Sequence, residues 1–196
     1  MFAAGAMVCV AGPAWAGDDS LPKAATFIRE TGQRLGALTQ GQPSAAEKRR
    51  RLESFLDEVV DIDGVARFCL GRFWAAATPP QRQDYLAVFR QVLVTAVAVR
   101  VGDYPAGQFR VTINPPVRMG TDIQVPTEVI RGDATPPARI TWTLSEETGK
   151  LRIVDILAEG VSLRITQRSD YASFLRQNNN DIAALLRALH DQVAAG

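Results

Sequence analysis

The side chains able to do chemistry are few and far apart in this sequence. There is one histidine, His190, and there are two cysteines, Cys9 and Cys69. A Ser-His-Asp or Cys-His site needs the imidazole beside a nucleophile. His190 sits late in an amphipathic stretch with no such motif around it, so a surface or packing role fits it. One histidine and so few thiols exclude a metal site built from His and Cys. Gly102, Gly107 and Gly120 lack the spacing and the Lys-Ser/Thr ending of a phosphate loop. No catalytic or metal-binding set and no cofactor site is therefore expected.

Two carboxylate pairs remain, Asp61/Asp63 and Asp155/Glu159, and either could hold a general acid–base pair. Asp61 and Asp63 stand where a helix begins, so capping accounts for them as well. Asp155 lies in an apolar strand beside Ile153 and Leu157. If it faces inward it needs a partner, with Arg168 a candidate. The result is either a structural ion pair or a catalytic carboxylate in a cone-shaped cavity. The run Lys48-Arg49-Arg50-Arg51 is the one charge cluster. Glu47–Arg51 and Arg49–Glu53 are i,i+4 pairs and fit a solvated helix face, with anionic head groups or an acidic partner as the functional alternative. The formal net charge of +1, from 22 basic and 21 acidic residues, gives no basic excess for nucleic acid.

The elements that would position these groups are readable from period and punctuation. Helical spacing runs from Ser20 through about Leu38. Ser44-Ala45-Ala46-Glu47 is a capping box that opens a second helix carrying Leu52, Phe55, Leu56 and Val59. Asp61 or Asp63 caps a third, over about 64–76. Thr78-Pro79-Pro80 starts a fourth, over about 80–101, whose second half is apolar nearly all round. The period then changes to two. Four strands follow around residues 109–113, 123–129, 139–144 and 151–157, with turns at Met119-Gly120, 132–137 and 147–150. Pro126 demands an edge or bulge position. After Gly160, two helices close the chain at about 163–176 and 180–194. Helices, then four strands, then helices is an α+β order with a curved antiparallel sheet.

Residues 1–16 carry no charge and end in Ala14-Trp15-Ala16, a small-x-small cleavage site followed by polar Gly17-Asp18-Asp19. The apolar run is too short to span a bilayer, so residues 1–16 are expected to be an export signal and 17–196 one domain. Cys69 is then the only thiol of that domain, and among Phe68 and Leu70 it reads as a buried, inert one. What the chain has in surplus is apolar bulk, and 46% of its residues are hydrophobic. A curved sheet roofed by helices can enclose a pocket lined that way, or simply pack a core.

Two stretches decide between these. One is Asp61-Ile62-Asp63-Gly64-Val65-Ala66-Arg67-Phe68-Cys69-Leu70-Gly71-Arg72-Phe73-Trp74, running on to Thr78-Pro79-Pro80-Gln81. The other is Asp155-Ile156-Leu157-Ala158-Glu159-Gly160-Val161-Ser162-Leu163, then Thr166-Gln167-Arg168-Ser169-Asp170-Tyr171. Together they resemble the MlaC family of periplasmic phospholipid-transport proteins, also called toluene-tolerance auxiliary proteins. The Thr-Gln-Arg-Ser-Asp-Tyr ending resembles its hopanoid-associated HpnM branch. The chain departs from the pattern at Leu151, at Thr166-Gln167-Arg168, and at Asn178-Asn179-Asn180 in a turn that usually holds Gly.

The resemblance implies a four-stranded, nuclear-transport-factor-like (NTF2-like) cone with helices on its concave face and added helices at both ends. It implies a non-enzymatic periplasmic carrier with acyl chains of phospholipid, or a hopanoid, in an apolar cavity. Its partners would be an inner-membrane ABC complex with an MCE-domain protein and an outer-membrane lipoprotein complex, with membranes reached only through them. The expected lining is Phe68, Phe73, Trp74, Phe89, Leu93, Val97, Val125, Trp142, Tyr171 and Phe174. Burying hydrocarbon at about 0.8 kcal/mol per CH₂ needs such a wall and no catalytic group. The alternative is an enzyme of the same fold with Asp155 or Asp63 as base.

Overall fold

The computed structural model of the chain describes residues 19–38, 44–102, 109–131, 136–147 and 149–195. The expected leader over residues 1–16 lies outside them. So do residues 41–43, 103–105 and 132–135 of the expected turns.

Among the described residues five helices precede the strands: α1 (Ser20–Leu38), α2 (Ala45–Val59), α3 (Ile62–Leu70), α4 (Phe73–Ala76) and α5 (Pro79–Gly102). Ser44 caps α2 by accepting from the Glu47 amide at 3.2 Å, as the capping box predicts. The Glu47 side chain does not return the bond, because it pairs with Arg50 and Arg51. Asp61 caps α3, its carboxylate accepting from the Gly64 amide at 3.0 Å. The expected single helix over 64–76 is two. Gly71 adopts φ +57°, ψ −131°, a conformation that glycine alone reaches without strain, and the chain turns there. An added Cβ would meet the Arg168 guanidinium at 3.1 Å, so the position also admits a close approach.

Among the described residues the sheet has six strands, not the four expected: β1 (Phe109–Ile113), β2 (Val117–Met119), β3 (Asp122–Arg131), β4 (Ala138–Ser145), β5 (Arg152–Ala158) and β6 (Val161–Ser162). All pairings between them are antiparallel, in the order β1-β3-β4-β5-β6, with β2 also on β3. The two unexpected strands span three and two residues, too few to show a period. A bulge between Thr143 and Leu144 shifts the β4–β5 register and adds to the curvature.

Pro126 is inside β3, a central strand, opposite Thr141. The edge condition is met locally. On the other side β1 stops at Ile113 opposite Thr127, and β2 begins at Val117 opposite Gln124. Across that gap the Asn114 amide donates to the Pro126 carbonyl at 2.9 Å. Pro126 has no N–H to return that bond, so the β1 pairing ends there.

The chain closes with α6 (Leu163–Gln177) and α7 (Ile182–Ala195). Asn179 and Asn180 take φ of 55° and 58°, so two asparagines fill the left-handed turn that glycine would. The Asn180 amide donates to the Leu175 carbonyl at 2.7 Å and seals the end of α6. At the other flank, Val60 makes a parallel bridge with Ile153, and the Asp61 amide donates to the Ile153 carbonyl. The link between α2 and α3 thus lies along the β5 edge. The core joins all layers: Ile28 of α1, Leu52 and Phe55 of α2, Leu70 of α3, Tyr85 and Val88 of α5, Val125 and Leu144 of the sheet, Leu175 of α6 and Leu185 of α7.

Candidate functional site

The register sorts the sheet into two chemically different faces. Residues directly opposite one another share a face. Ile113, Thr127 and Ile140 form one row, Val125, Trp142 and Ile156 the next, and Ile123, Leu144 and Ile153 a third. This face is apolar. Ile123, Val125 and Leu144 are sealed in the core, whereas Ile113, Trp142 and Ile156 are half-buried against it. Its two polar side-chain atoms satisfy each other. The Trp142 indole N–H donates to the Thr127 hydroxyl at 3.1 Å, and that hydroxyl donates to the Ile140 carbonyl at 2.9 Å. A molecule lying on this face therefore meets hydrocarbon and ring, with no free hydrogen-bonding group among these side chains.

The helices facing this cluster continue the chemistry. On α1, Ala24, Ile28 and Thr31 are buried, and the helix lies against β3. On α5, Val94 is buried while Leu93 and Val97 are half-buried against the same cluster. Thr95 is the one polar side chain within residues 92–99, and its hydroxyl is enclosed without a partner.

The ten residues expected to line a cavity fall into three settings. Phe73, Phe89, Val125 and Tyr171 are inside the core, where Tyr85 stacks edge-on with Tyr171 at 6.2 Å and tilted with Phe89 at 5.7 Å. Leu93, Val97, Trp142 and Phe174 are half-buried around it. Phe68 and Trp74 are half-buried under arginines instead. Arg164 and Arg168 both lie over the Phe68 ring, and Arg67 and Arg82 both lie over Trp74. The expected lining left out Ile113, Ile140 and Ile156. Their pairing with Thr127 and Trp142 is a fact of register, which no local pattern carries.

The carboxylates singled out in the sequence are spent on structure. Asp155 is opposite Thr143, on the other face from Trp142. Its oxygens accept from the Ser162 hydroxyl, from the Arg164 amide at 3.1 Å and from its own neighbour Ile156 at 2.8 Å. Ser162 is the N-cap of α6, accepting from the Ile165 amide, so Asp155 and Ser162 together finish that helix end. The ion-pair partner of Asp155 is Arg164, at 3.5 Å, rather than Arg168. Asp63 lines an open cleft with Asp57, Asp61, Arg90 and Arg152, where Arg90 bridges to Asp57 and stands 3.7 Å from Asp63. Glu159 accepts from both the backbone and the guanidinium of Arg139, which holds its carboxyl below the usual range.

The other reactive groups are similarly accounted for. Cys69 is buried, its thiol donating weakly to the Arg164 carbonyl at 3.6 Å; burial, then the charge of Asp155, pushes it up to about 12. His190 Nε2 lies 2.9 Å from Asp84 Oδ1 on the surface and ties α7 to α5. Arg49, Arg50 and Arg51 pair with Glu53 and Glu47, the solvated helix face expected of that cluster. Among the described residues no group of three or more His, Cys, Asp or Glu is placed to hold a metal ion. No helix among them is long and apolar enough to cross a membrane.

Comparison with known proteins adds two findings. The sequence model of the MlaC protein family matches residues 29–191. The fold is similar to the solved structure of a phospholipid-binding protein from Ralstonia solanacearum, determined in complex with a phospholipid. The match has a TM-score of 0.71 and 18% identity, and covers 88% of this chain and 97% of that one.

Proposed function

From the premise that the chain belongs to the MlaC protein family, we propose that it is a lipid carrier that holds the apolar chains of a phospholipid against the Trp142 face of its sheet. The observation that carries this reading is the chemistry of that face. It is broad and apolar, and its polar atoms are already bonded to each other. A site built for a reaction would aim a nucleophile or an acid–base group with its activating partner inward, and the unspent hydroxyls of Thr95 and Tyr171 have no hydrogen-bond partner to activate them. Asp155 lies on the opposite face and caps a helix, and Asp63 is beside Arg90 in an open cleft, so neither supports the enzyme alternative.

In this reading the wall is Leu93 and Val97 from α5 with Trp142 from the sheet, joined by Ile113 and Ile156, with Phe174 half-buried around the same core. Phe73, Phe89, Val125 and Tyr171 back it from the core. The phospholipid held by the Ralstonia protein supports the ligand class. The Thr166-Gln167-Arg168-Ser169-Asp170-Tyr171 segment supports the hopanoid-associated HpnM branch, with a hopanoid as the alternative cargo. The carrier would be exported by residues 1–16 and work in the periplasm. There it would pass lipid between an inner-membrane ABC complex with its MCE-domain protein and an outer-membrane lipoprotein complex.

The test is lipid content, then lipid position. Native mass spectrometry of gently purified protein is expected to show one co-purified lipid. Phospholipid brominated on its acyl chains is expected to quench Trp142 in a Trp74→Phe background. It should leave Trp74 emission unchanged in a Trp142→Phe background. Protein that is empty and takes up no lipid would sink the proposal; quenching of Trp74 alone would move the site to the arginine-covered side.

A further inference from the structure

Five arginines stand on aromatic rings along the surface formed by α3, α4, the start of α5 and α6. Arg164 and Arg168, one turn apart on α6, lie 4.6 and 5.0 Å from the Phe68 ring centre. The Arg168 guanidinium also lies against Gly71, and the next residue, Arg72, stands 4.9 Å from the Phe73 ring. Arg67, which precedes Phe68, and Arg82 each stand 5.4 Å from the Trp74 ring. The five are therefore linked through shared rings and adjacent residues into one surface.

Their charges are largely uncompensated. Arg164 is paired with Asp155. Arg82 donates to the Trp74 and Ala75 carbonyls and has no carboxylate partner. Arg67, Arg72 and Arg168 have no carboxylate within ion-pair distance among the described residues. On a chain of formal net charge +1, this is a local concentration of positive charge. Stacking on rings also holds the guanidinium groups in place, so less entropy is lost when they engage an anion.

Beside them the α6 entrance is greasy and open. Val161, Leu163 and Ile165 are 58%, 50% and 58% exposed, three large aliphatics within five residues. Ile165 is between Arg164 and Arg168 along the helix. An exposed aliphatic cluster in a soluble domain marks an interaction surface.

We propose that this surface docks the protein directly on an anionic lipid bilayer. The guanidinium groups of Arg67, Arg72, Arg82 and Arg168 would meet phosphates, and Val161, Leu163 and Ile165 would enter the head-group boundary. Charge complementarity selects the partner. A bilayer presents phosphate and hydrocarbon side by side everywhere, so it satisfies both features without a shaped groove. This replaces the expectation that membranes are reached only through protein partners. It does not depend on the cargo proposed above.

Vesicle flotation tests it, comparing pure phosphatidylcholine with phosphatidylcholine mixed with an equal part of phosphatidylglycerol. The purified protein is expected to float with the anionic vesicles, not the neutral ones, and to be released by high salt. Arg67→Gln with Arg72→Gln is expected to weaken partitioning roughly thirtyfold, from two charges near the surface. Leu163→Ser with Ile165→Ser is expected to weaken it roughly tenfold or more at unchanged salt sensitivity. Both pairs are exposed, and co-purified lipid measured on the same samples separates loss of docking from loss of cargo. Equal binding to both vesicles, or either pair without effect, overturns the proposal. Failure to bind vesicles together with arginine-dependent retention on polyglutamate also overturns it and assigns the surface to an acidic protein.

Discussion

Cys69, Tyr85 and Tyr171 form a buried titratable cluster whose behaviour follows from desolvation. Burial raises all three above their ordinary values, the thiol to about 12. Each is neutral when folded and ionises more readily when unfolded. Their contribution is therefore complete below the unfolded values, about 9 for the thiol and about 10 for the phenols, and is lost as pH rises toward the folded ones. Denaturant midpoints are expected to fall above pH about 9, each group adding a slope of about 1.4 kcal/mol per pH unit beyond its own unfolded value. Tyr171→Phe is the informative variant, because the Tyr171 hydroxyl is enclosed with no hydrogen-bond partner. It is expected to cost nothing at neutral pH and to flatten the alkaline slope. An unchanged slope would show that Tyr171 is not in this linkage. The sequence identified Cys69 as a buried thiol from its apolar neighbours. It gave no sign that Asp155 would cap a helix starting eight residues later, because that contact crosses a hairpin.

Helix ends were the most legible feature of this chain, and sheet detail the least. Ser44, Asp61 and the Thr78-Pro79 start are local devices, each acting within four residues, so a linear reading finds them. Strands β2 and β6 exist because β3 and β5 offer them partners, and their two or three residues carry no pattern of their own. The break at Gly71 was missed for a related reason: the helical pattern runs on through it, yet here it ends α3 and turns the chain into α4. The reverse handedness makes a sharp prediction. Gly71→Ala places a Cβ in a conformation costing about 1–3 kcal/mol and presses it on the Arg168 guanidinium. The melting temperature is expected to fall by roughly 2–10 °C for a chain of this size. A shift of under a degree would mean the backbone relaxes freely there.

At the scale of the whole molecule, apolar rows of the sheet, the inner side of α1 and the apolar half of α5 belong to one cluster that is sealed in places and half-open in others. A cargo lying in the half-open part would be part of the folded core. Its binding energy then adds to stability by mass action, about 2.7 kcal/mol at a free ligand concentration a hundredfold above Kd. Protein stripped of lipid under denaturant and refolded is expected to melt roughly 5–10 °C below the protein as purified, and to recover on adding phospholipid. Identical melting of the two forms would argue that the cluster is a closed core without cargo. The fold class was legible because helix and strand periods succeed each other cleanly along the chain. The site was legible only as a surplus of apolar residues, since which of them stay half-open depends on how the layers meet.

The link between α2 and α3 runs along the β5 edge, with Val60 bridged to Ile153 and the Asp61 amide bonded to the Ile153 carbonyl. Beyond it, β6 pairs with the same edge at Leu157 and Ala158. Open strand edges recruit strands from other copies and seed fibres. With its own backbone laid against this one, the molecule denies a second copy that foothold at any concentration, full or empty.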